Sequence, residues 1–403
     1  MADLPALIAR YAAVFHDVVG GGGHHVASPL GAWLLLGLAA PAASGADSDE
    51  LVGVLGTGGG AAAALAAELL ARPHPLVASA AAVWNRPGTV DQDWLDGLPA
   101  EVERGDIPTQ AEADAWARGK TSGLVERFPI TISDWIYLLM ATALAAKVSW
   151  ERPFDLVNAS ALGPGSPWVA LPGRVLSSPE HPGHRAFIAA TDRAGDVAVH
   201  TGSAVGGLQV TSVIASPGVP PGEVIAAAHE IAIAEALGRA VPRRSLFDLP
   251  LGDGLLWSVT EERSQAGDQE KCTAVLPVWS ARSDHDLSNP RLGFAAAAHA
   301  LDRDAGDPWQ ARQTVTATYS RTGFEAAAVT AMAIMLSATA PRRGLLRRAE
   351  LRFGHPYAVV AVVADEEAER PHGPLRPPPP PGPWHGVPVF SAWVAEPEPA
   401  SRN

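Results

Sequence analysis

Few of the side chains that ordinarily carry chemistry are spaced for it in this sequence. No serine has a glycine two positions before it, so the Gly-x-Ser-x-Gly elbow is absent. None of the lysines (Lys120, Lys147 and Lys271) has a serine three residues earlier, which removes the Ser-x-x-Lys acyl-enzymes. No His-Glu-x-x-His occurs. His24-His25 is the best metal-like pair. Neighbours on a strand point to opposite faces, however, so both read as solvent or core histidines, and no metal is expected. Gly56-Thr-Gly-Gly-Gly-Ala61 formally matches a dinucleotide-type glycine fingerprint. What precedes it has helical spacing, and no acid follows at the required distance. It reads as a helix stop followed by an alanine-rich helix to Leu70. Nothing here asks for an enzyme or a cofactor.

What the chain does contain is a segment suited to changing shape. Thr322-Gly-Phe-Glu-Ala-Ala-Ala-Val-Thr-Ala-Met-Ala-Ile-Met-Leu-Ser-Ala-Thr-Ala340 is long, small-residued and nearly uncharged. By propensity it reads as a buried helix. As a strand it alternates, with Phe324, Ala326, Ala328, Thr330, Met332, Ile334 and Leu336 on one face and Glu325, its only charge, on the other. Arg342, Arg343, Arg347 and Arg348 follow it.

Composition bounds the setting. The 403 residues carry a net charge of −13, which argues against nucleic acid or an anionic membrane as partner. Cys272 is the only cysteine, so there is no internal disulfide and no Cys-rich metal site. The N-terminus lacks a signal-peptide pattern, and the apolar run Trp33 to Ala43 is too short to span a bilayer. A cytoplasmic protein is expected, with export by another route left open.

The elements follow from spacing. Leu4, Leu7, Ile8, Tyr11, Val14, Phe15 and Val18 mark a helix over 4–19, ended by Gly20 to Gly23. Ser28 caps a second helix with Pro29 in its first turn. Asp47 and Glu50 have capping-box spacing for a third. Strands are expected at 76–84, 135–147, 186–190, 197–199, 210–215 and 313–319, and helices at 91–95 and 223–237.

Gly323-Phe-Glu-Ala-Ala-Ala-Val-Thr-Ala331 resembles the hinge of the serpin reactive-centre loop. Further segments resemble the same family in the same order: His24-His-Val-Ala-Ser-Pro-Leu30; Asp114-Ala-Trp with Thr121-Ser-Gly123; Lys147-Val-Ser-Trp-Glu-Arg-Pro-Phe154; Val275-Leu-Pro-Val-Trp-Ser280 with Asp286-Leu287 and Leu292-Gly293; His355-Pro-Tyr357; and Val387-Pro-Val-Phe390. The resemblance implies one serpin-like α+β domain over 1–403, of bacterial type and monomeric. It would have a large central mixed sheet, smaller sheets, about eight or nine helices, strands at 275–280, 351–363 and 387–397, and an exposed reactive-centre loop near 321–348.

The implied activity is inhibition of serine proteases by suicide trapping, in which a cleaved loop inserts as a new strand. The hinge is then Gly323, Phe324, Glu325, Ala326, Ala327, Ala328, Val329 and Thr330. Trp150 belongs to the breach, where the loop enters the sheet. Ser28, Pro29, Thr142 and Gln313 belong to the shutter beneath it. Gly31, Thr142 and Gln313 stand where the family has Ser, Asn and His, and Phe324 stands where it prefers Thr or Ser. Counting forward from the hinge gives the reactive bond Ser337–Ala338, which suits elastase-like or subtilisin-like proteases. Counting back from His355-Pro356 gives Arg342 and Arg343, which suit trypsin-like ones. A non-inhibitory serpin-fold binding protein is the alternative. The interval 364–386, with prolines at 377–381, is expected to be a surface insert in polyproline II.

Overall fold

A computed structural model describes residues 3–170, 173–301, 309–324, 343–364 and 381–400. Helix α1 (Leu4–Val19) carries its apolar residues at helical spacing and ends at Gly20. After β1 (His25–Ala27), α2 (Pro29–Ala39) is buried on nearly every face, as a helix apolar all round must be. Next come α3 (Gly45–Leu55), α4 (Gly59–Ala71), β2 (Val77–Asn85), α5 (Gln92–Gly97), β3 (Glu103–Gly105) and α6 (Gln110–Lys120). Strands β4 (Leu138–Ala146) and β5 (Val148–Ser149) are separated only by Lys147. They are followed by β6 (Asp155–Asn158), β7 (Arg174–Ser177), β8 (His184–Thr191), β9 (Gly195–Ala204), β10 (Leu208–Ile214) and α7 (Pro221–Ala236). The remainder is β11 (Gly252–Asp253), β12 (Trp257–Ser264), β13 (Gln269–Leu276), β14 (Trp279–Asp286), α8 (Phe294–Leu301), β15 (Arg312–Tyr319), β16 (Gly323–Phe324), β17 (Gly344–Arg352), β18 (Tyr357–Val363) and β19 (Pro388–Val394).

Two six-stranded sheets form much of the body. One has the order β1-β19-β18-β10-β9-β8, the other β11-β12-β17-β13-β7-β6. Every residue of β10, β18 and β19 is buried, because α7 covers one face of their sheet and the main core lies on the other. The remaining strands build a third layer in two halves. On one side β2 lies parallel to β3 and antiparallel to β4, and on the other β14 pairs antiparallel with β15. Helix α6 lies over the β2 and β4 side, its Ala113 and Ala117 packed with Ala82, Trp84, Leu139 and Ala141. Among the described residues, no single helix is long and apolar enough to cross a membrane.

Several boundaries differ from the sequence expectation. Helix α3 starts at Gly45 after Ser44, so Asp47 lies inside its first turn and forms no capping box with Glu50. The box that does form is Thr109 with Glu112, on α6. Trp135 is 90% exposed, and the strand expected from it begins only at Leu138. The run 275–280 is broken at Pro277 and Val278 between β13 and β14. The run 351–363 belongs to two strands in different sheets.

The loop expected to reach residue 348 stops earlier, because β17 begins at Gly344. There Arg347 pairs with Glu261 and donates to the Leu246 and Leu249 carbonyls, and Arg348 bridges Glu262 and Glu180. These arginines are sheet residues, held by partners on β12 and neighbouring segments. Within the 364–386 interval, Ala364 and Trp384 are buried, and the Trp384 indole donates to the Arg72 carbonyl at 2.8 Å. That end of the insert is packed, not extended at the surface. Most of its prolines lie outside the described residues.

Candidate functional site

β4 and β15 face each other across a cleft, and no ladder among the described residues joins them. A cavity of about 100 Å³ lies between them, lined on one side by Ala141, Thr142 and Ala143 and on the other by Gln313, Val315 and Thr316. A wider cavity, about 900 Å³, shares Leu35, Ile130, Met140 and Arg312 with it and continues toward Trp135 and Trp309. The cleft therefore runs along much of the two strands. Its walls are mostly small or apolar; among the described residues Arg312 is the only Lys, Arg, Asp or Glu lining it, and the buried Thr316 hydroxyl has no partner. A pair of parallel strand edges with small side chains between them can accept one antiparallel strand, whose backbone would satisfy both edges at once.

The N-terminus of α2 holds the base of the cleft. The Ser28 hydroxyl donates to the Val389 carbonyl at 2.9 Å and accepts weakly from Gly31 N–H. Gln313, on one wall, clasps the Ser28 backbone at two points. Its Oε1 accepts the Ser28 N–H at 3.0 Å, and its Nε2 donates to the Ser28 carbonyl at 2.8 Å. Thr142, on the other wall, donates its hydroxyl to the Gly31 carbonyl at 2.8 Å. The two walls are thus latched to one helix end, with Pro29 in its first turn.

The top of the cleft is closed by β16, at the residues the sequence suggested as a hinge. β16 returns from β15 and pairs antiparallel with β5, with Gly323 opposite Ser149 and Phe324 opposite Val148. Phe324 is 5% exposed, its ring 6.5 Å from that of Phe390. A Cβ on Gly323 would meet the Val148 carbonyl oxygen at 2.2 Å, so only glycine allows this approach. At the far end, a Cβ on Gly344 would meet Gly267 at 2.2 Å. Glycine is thus required on both sides of residues 325–342, which lie outside the described residues.

Between β15 and β16 the turn is strapped down by residues 150–154. Trp150 donates its backbone N–H to Thr322 and its indole N–H to the Ser320 carbonyl, at 3.1 and 3.0 Å. Phe154 N–H donates to the Arg321 carbonyl, and Arg321 Nε donates back to the Phe154 carbonyl. Tyr319 packs on both rings, 5.1 Å from Trp150 and 5.8 Å from Phe154.

Two six-stranded sheets, a third layer split at one strand position and a short strand folded into its mouth can be compared with solved structures. The native state of tengpin, a thermophilic serpin, superposes with a TM-score of 0.64 at 11% identity over 98% of this chain and 95% of that one. Human thyroxine-binding globulin complexed with thyroxine gives 0.64 at 13%, over 98% of both chains. Human kallistatin gives 0.62 at 15%, again over 98% of both. The chain has the serpin fold. At these identities the likeness shows the fold alone, and no protein-family model or curated protein sequence matches the chain.

Within the serpin fold, the residues singled out from sequence fall into three groups. Ser28, Pro29, Thr142 and Gln313 meet at the base of the cleft, and Trp150, Gly323 and Phe324 meet at its mouth. Glu325 through Thr330, Ser337, Ala338 and Arg342 lie outside the described residues, and Arg343 is exposed just before β17. His25 is buried and His24 is bonded to the Ser280 carbonyl. Among the described residues no group of side chains is suited to a metal. Sequence reasoning quoted Phe154 and Phe390 within the family-like segments without giving either a role, and it did not foresee Arg321 as a strap partner or the Gln313 clasp. Gln313 left a signal as a departure from the family residue.

Proposed function

We propose that this chain inhibits serine proteases by conformational trapping. A protease attacks the segment between Phe324 and Arg343, and its serine oxygen forms an ester with the residue before the cut. The departing amine takes a proton from the protease. The freed upstream arm then enters between β4 and β15 and carries the acyl-enzyme with it before water reaches the ester. The reading rests above all on the cleft between β4 and β15 with β16 already paired at its mouth. Ala326, Ala328, Thr330 and Met332 are small or apolar, as buried inserting residues must be.

We place the reactive bond at Ser337–Ala338, with Arg342–Arg343 as the alternative. Loop beyond Ser337 adds about five residues, roughly 17 Å of slack at strand rise, so a protease cutting at Arg342 would be dragged less firmly. The targets are accordingly elastase-like or subtilisin-like. The protein would act as a monomer, as one domain over 1–403, in the cytoplasm, without catalysis or cofactor of its own.

A second reading, a serpin-fold binding protein without inhibition, has one observation in its favour. Phe324 fills the first inserting position with a ring packed near Phe390, where it can act as a plug. Likeness to thyroxine-binding globulin, a structure solved with thyroxine bound, is compatible with it. Thermal unfolding before and after nicking with a subtilisin-like protease, with the cut read by mass spectrometry, separates the two. Trapping requires a large rise in melting temperature and a covalent protease complex on a denaturing gel. A cut between Ala326 and Arg343 with no rise selects the binding reading.

A further inference from the structure

The strap that grips the hinge is itself bolted from behind by two buried histidines. His184 on β8 is 8% exposed and His200 on β9 is fully buried. His184 Nε2 lies 2.6 Å from the Arg152 carbonyl oxygen, so that nitrogen must carry its proton and donate. His184 Nδ1 is then an acceptor, and His200 Nε2, 3.1 Å away, must donate to it. This wiring leaves His200 Nδ1 with a lone pair, buried and without a partner. Phe154 covers the pair, its ring centroid 4.5 Å from His184 and 5.3 Å from His200. One short segment, residues 150–154, thus holds the hinge turn through Trp150 and Phe154 and rests on the pair through Arg152 and Phe154.

We infer that the His184–His200 pair is an acid-sensitive catch on the hinge: protonating it releases the 150–154 strap and with it the turn at Ser320–Phe324. The wired pair is neutral on both rings, and a proton added at His200 Nδ1 meets no hydrogen-bond partner among the described residues. The titratable and charged groups facing it give little help. His181, in the turn before β8, and Arg185 disfavour a proton there, and Asp155, at the start of β6, favours one. Arg185 is engaged with Glu235 and Gln209, Tyr319 is buried beyond Phe154, and Glu151 and Arg152 belong to the strap. Burial holds both imidazoles below the usual histidine range. A cation is therefore accommodated only when the strap lifts and water enters. Opening restores ordinary histidine behaviour. The open population rises by up to about tenfold per pH unit for each histidine, below about pH 6.5.

The catch concerns only how the hinge is held, so it stands or falls separately from protease inhibition. The test is hydrogen exchange at the Trp150 and Phe154 amides, corrected for unstructured-chain rates, from pH 8 to pH 5. In the wild-type chain, protection at these amides should fall about tenfold or more between pH 7 and 5.5, while the Ala361 amide of β18 falls less. His184→Gln and His200→Asn, checked for folding by circular dichroism, should flatten the response at the strap. The inference is overturned if strap and β18 protection fall in parallel, if neither falls, or if folded variants respond as the wild type does. The wild-type comparison decides the matter even where a variant does not fold.

Discussion

At Gly323 the backbone passes so close to Val148 that a Cβ would lie 2.2 Å from its carbonyl oxygen, far inside van der Waals contact distance. Gly323→Val should therefore expel β16 from its pairing with β5. Phe324, buried in the wild type, then becomes a site for a chymotrypsin-like protease. Cleavage after Phe324 should quicken by at least about tenfold, since losing a two-residue pairing and a buried ring removes more than about 1.4 kcal/mol of protection. Equal rates would show that the hinge is already outside the sheet in solution. Gln313 is the second decisive residue. Gln313→Ala leaves the Ser28 N–H and carbonyl without their clasp and should lower stability by about 1–3 kcal/mol in urea unfolding. A loss below about 0.5 kcal/mol would mean that water replaces the amide there.

At the scale of elements, the cleft exists because β4 and β15, among the described residues, each have one ladder and one bare edge. A bare edge ordinarily invites pairing with any extended chain. Here the edges are held apart at a fixed spacing by α2, which receives Thr142 from one wall and Gln313 from the other. The mouth is governed by the 150–154 strap. Trp150→Phe keeps the aromatic contact with Tyr319 and deletes only the indole N–H to Ser320. It should cost about 1 kcal/mol of local hold, seen as about fivefold faster exchange at Phe324 with unchanged exchange in β18. Faster exchange in both places would assign the bond to global stability instead.

For the whole molecule, the buried histidines dominate the response to acid. His16, His25, His184, His200, His229, His285 and His355 are all held below the ordinary value, chiefly by burial, His229 down to about 4. Above about pH 6.5 these groups are neutral in both the folded and unfolded chain, and their contribution is fully present. As the pH falls through that value the unfolded chain takes up protons first. Stability then drops by up to about 1.4 kcal/mol per pH unit for each proton, until the folded-state groups titrate. Urea midpoints should accordingly fall steeply between pH 6.5 and 5, ahead of the carboxylate range. A flat profile there would show that the histidines are solvated in solution. Glu112, Asp114, Glu180 and Asp286, held low by hydrogen bonds, add their loss only at more acid pH.

By itself the sequence determined the local elements and their order. Helical spacing over Leu4–Val19, the Ser28 cap with Pro29 after it and the valine run of β18 all act through neighbours a few positions away. Boundaries slipped where local signals competed, as at Asp47, or where a strand changed sheets, as between β17 and β18. Only the tertiary structure decided that β4 and β15 stay apart, that Phe324 is seated at the mouth, and that Gln313 clasps Ser28 across 285 residues of chain. It also decided that His184 and His200 meet behind the strap. Such contacts depend on how distant segments return to one another. Side-chain periodicity records which face a residue turns to the core, not which partner waits there.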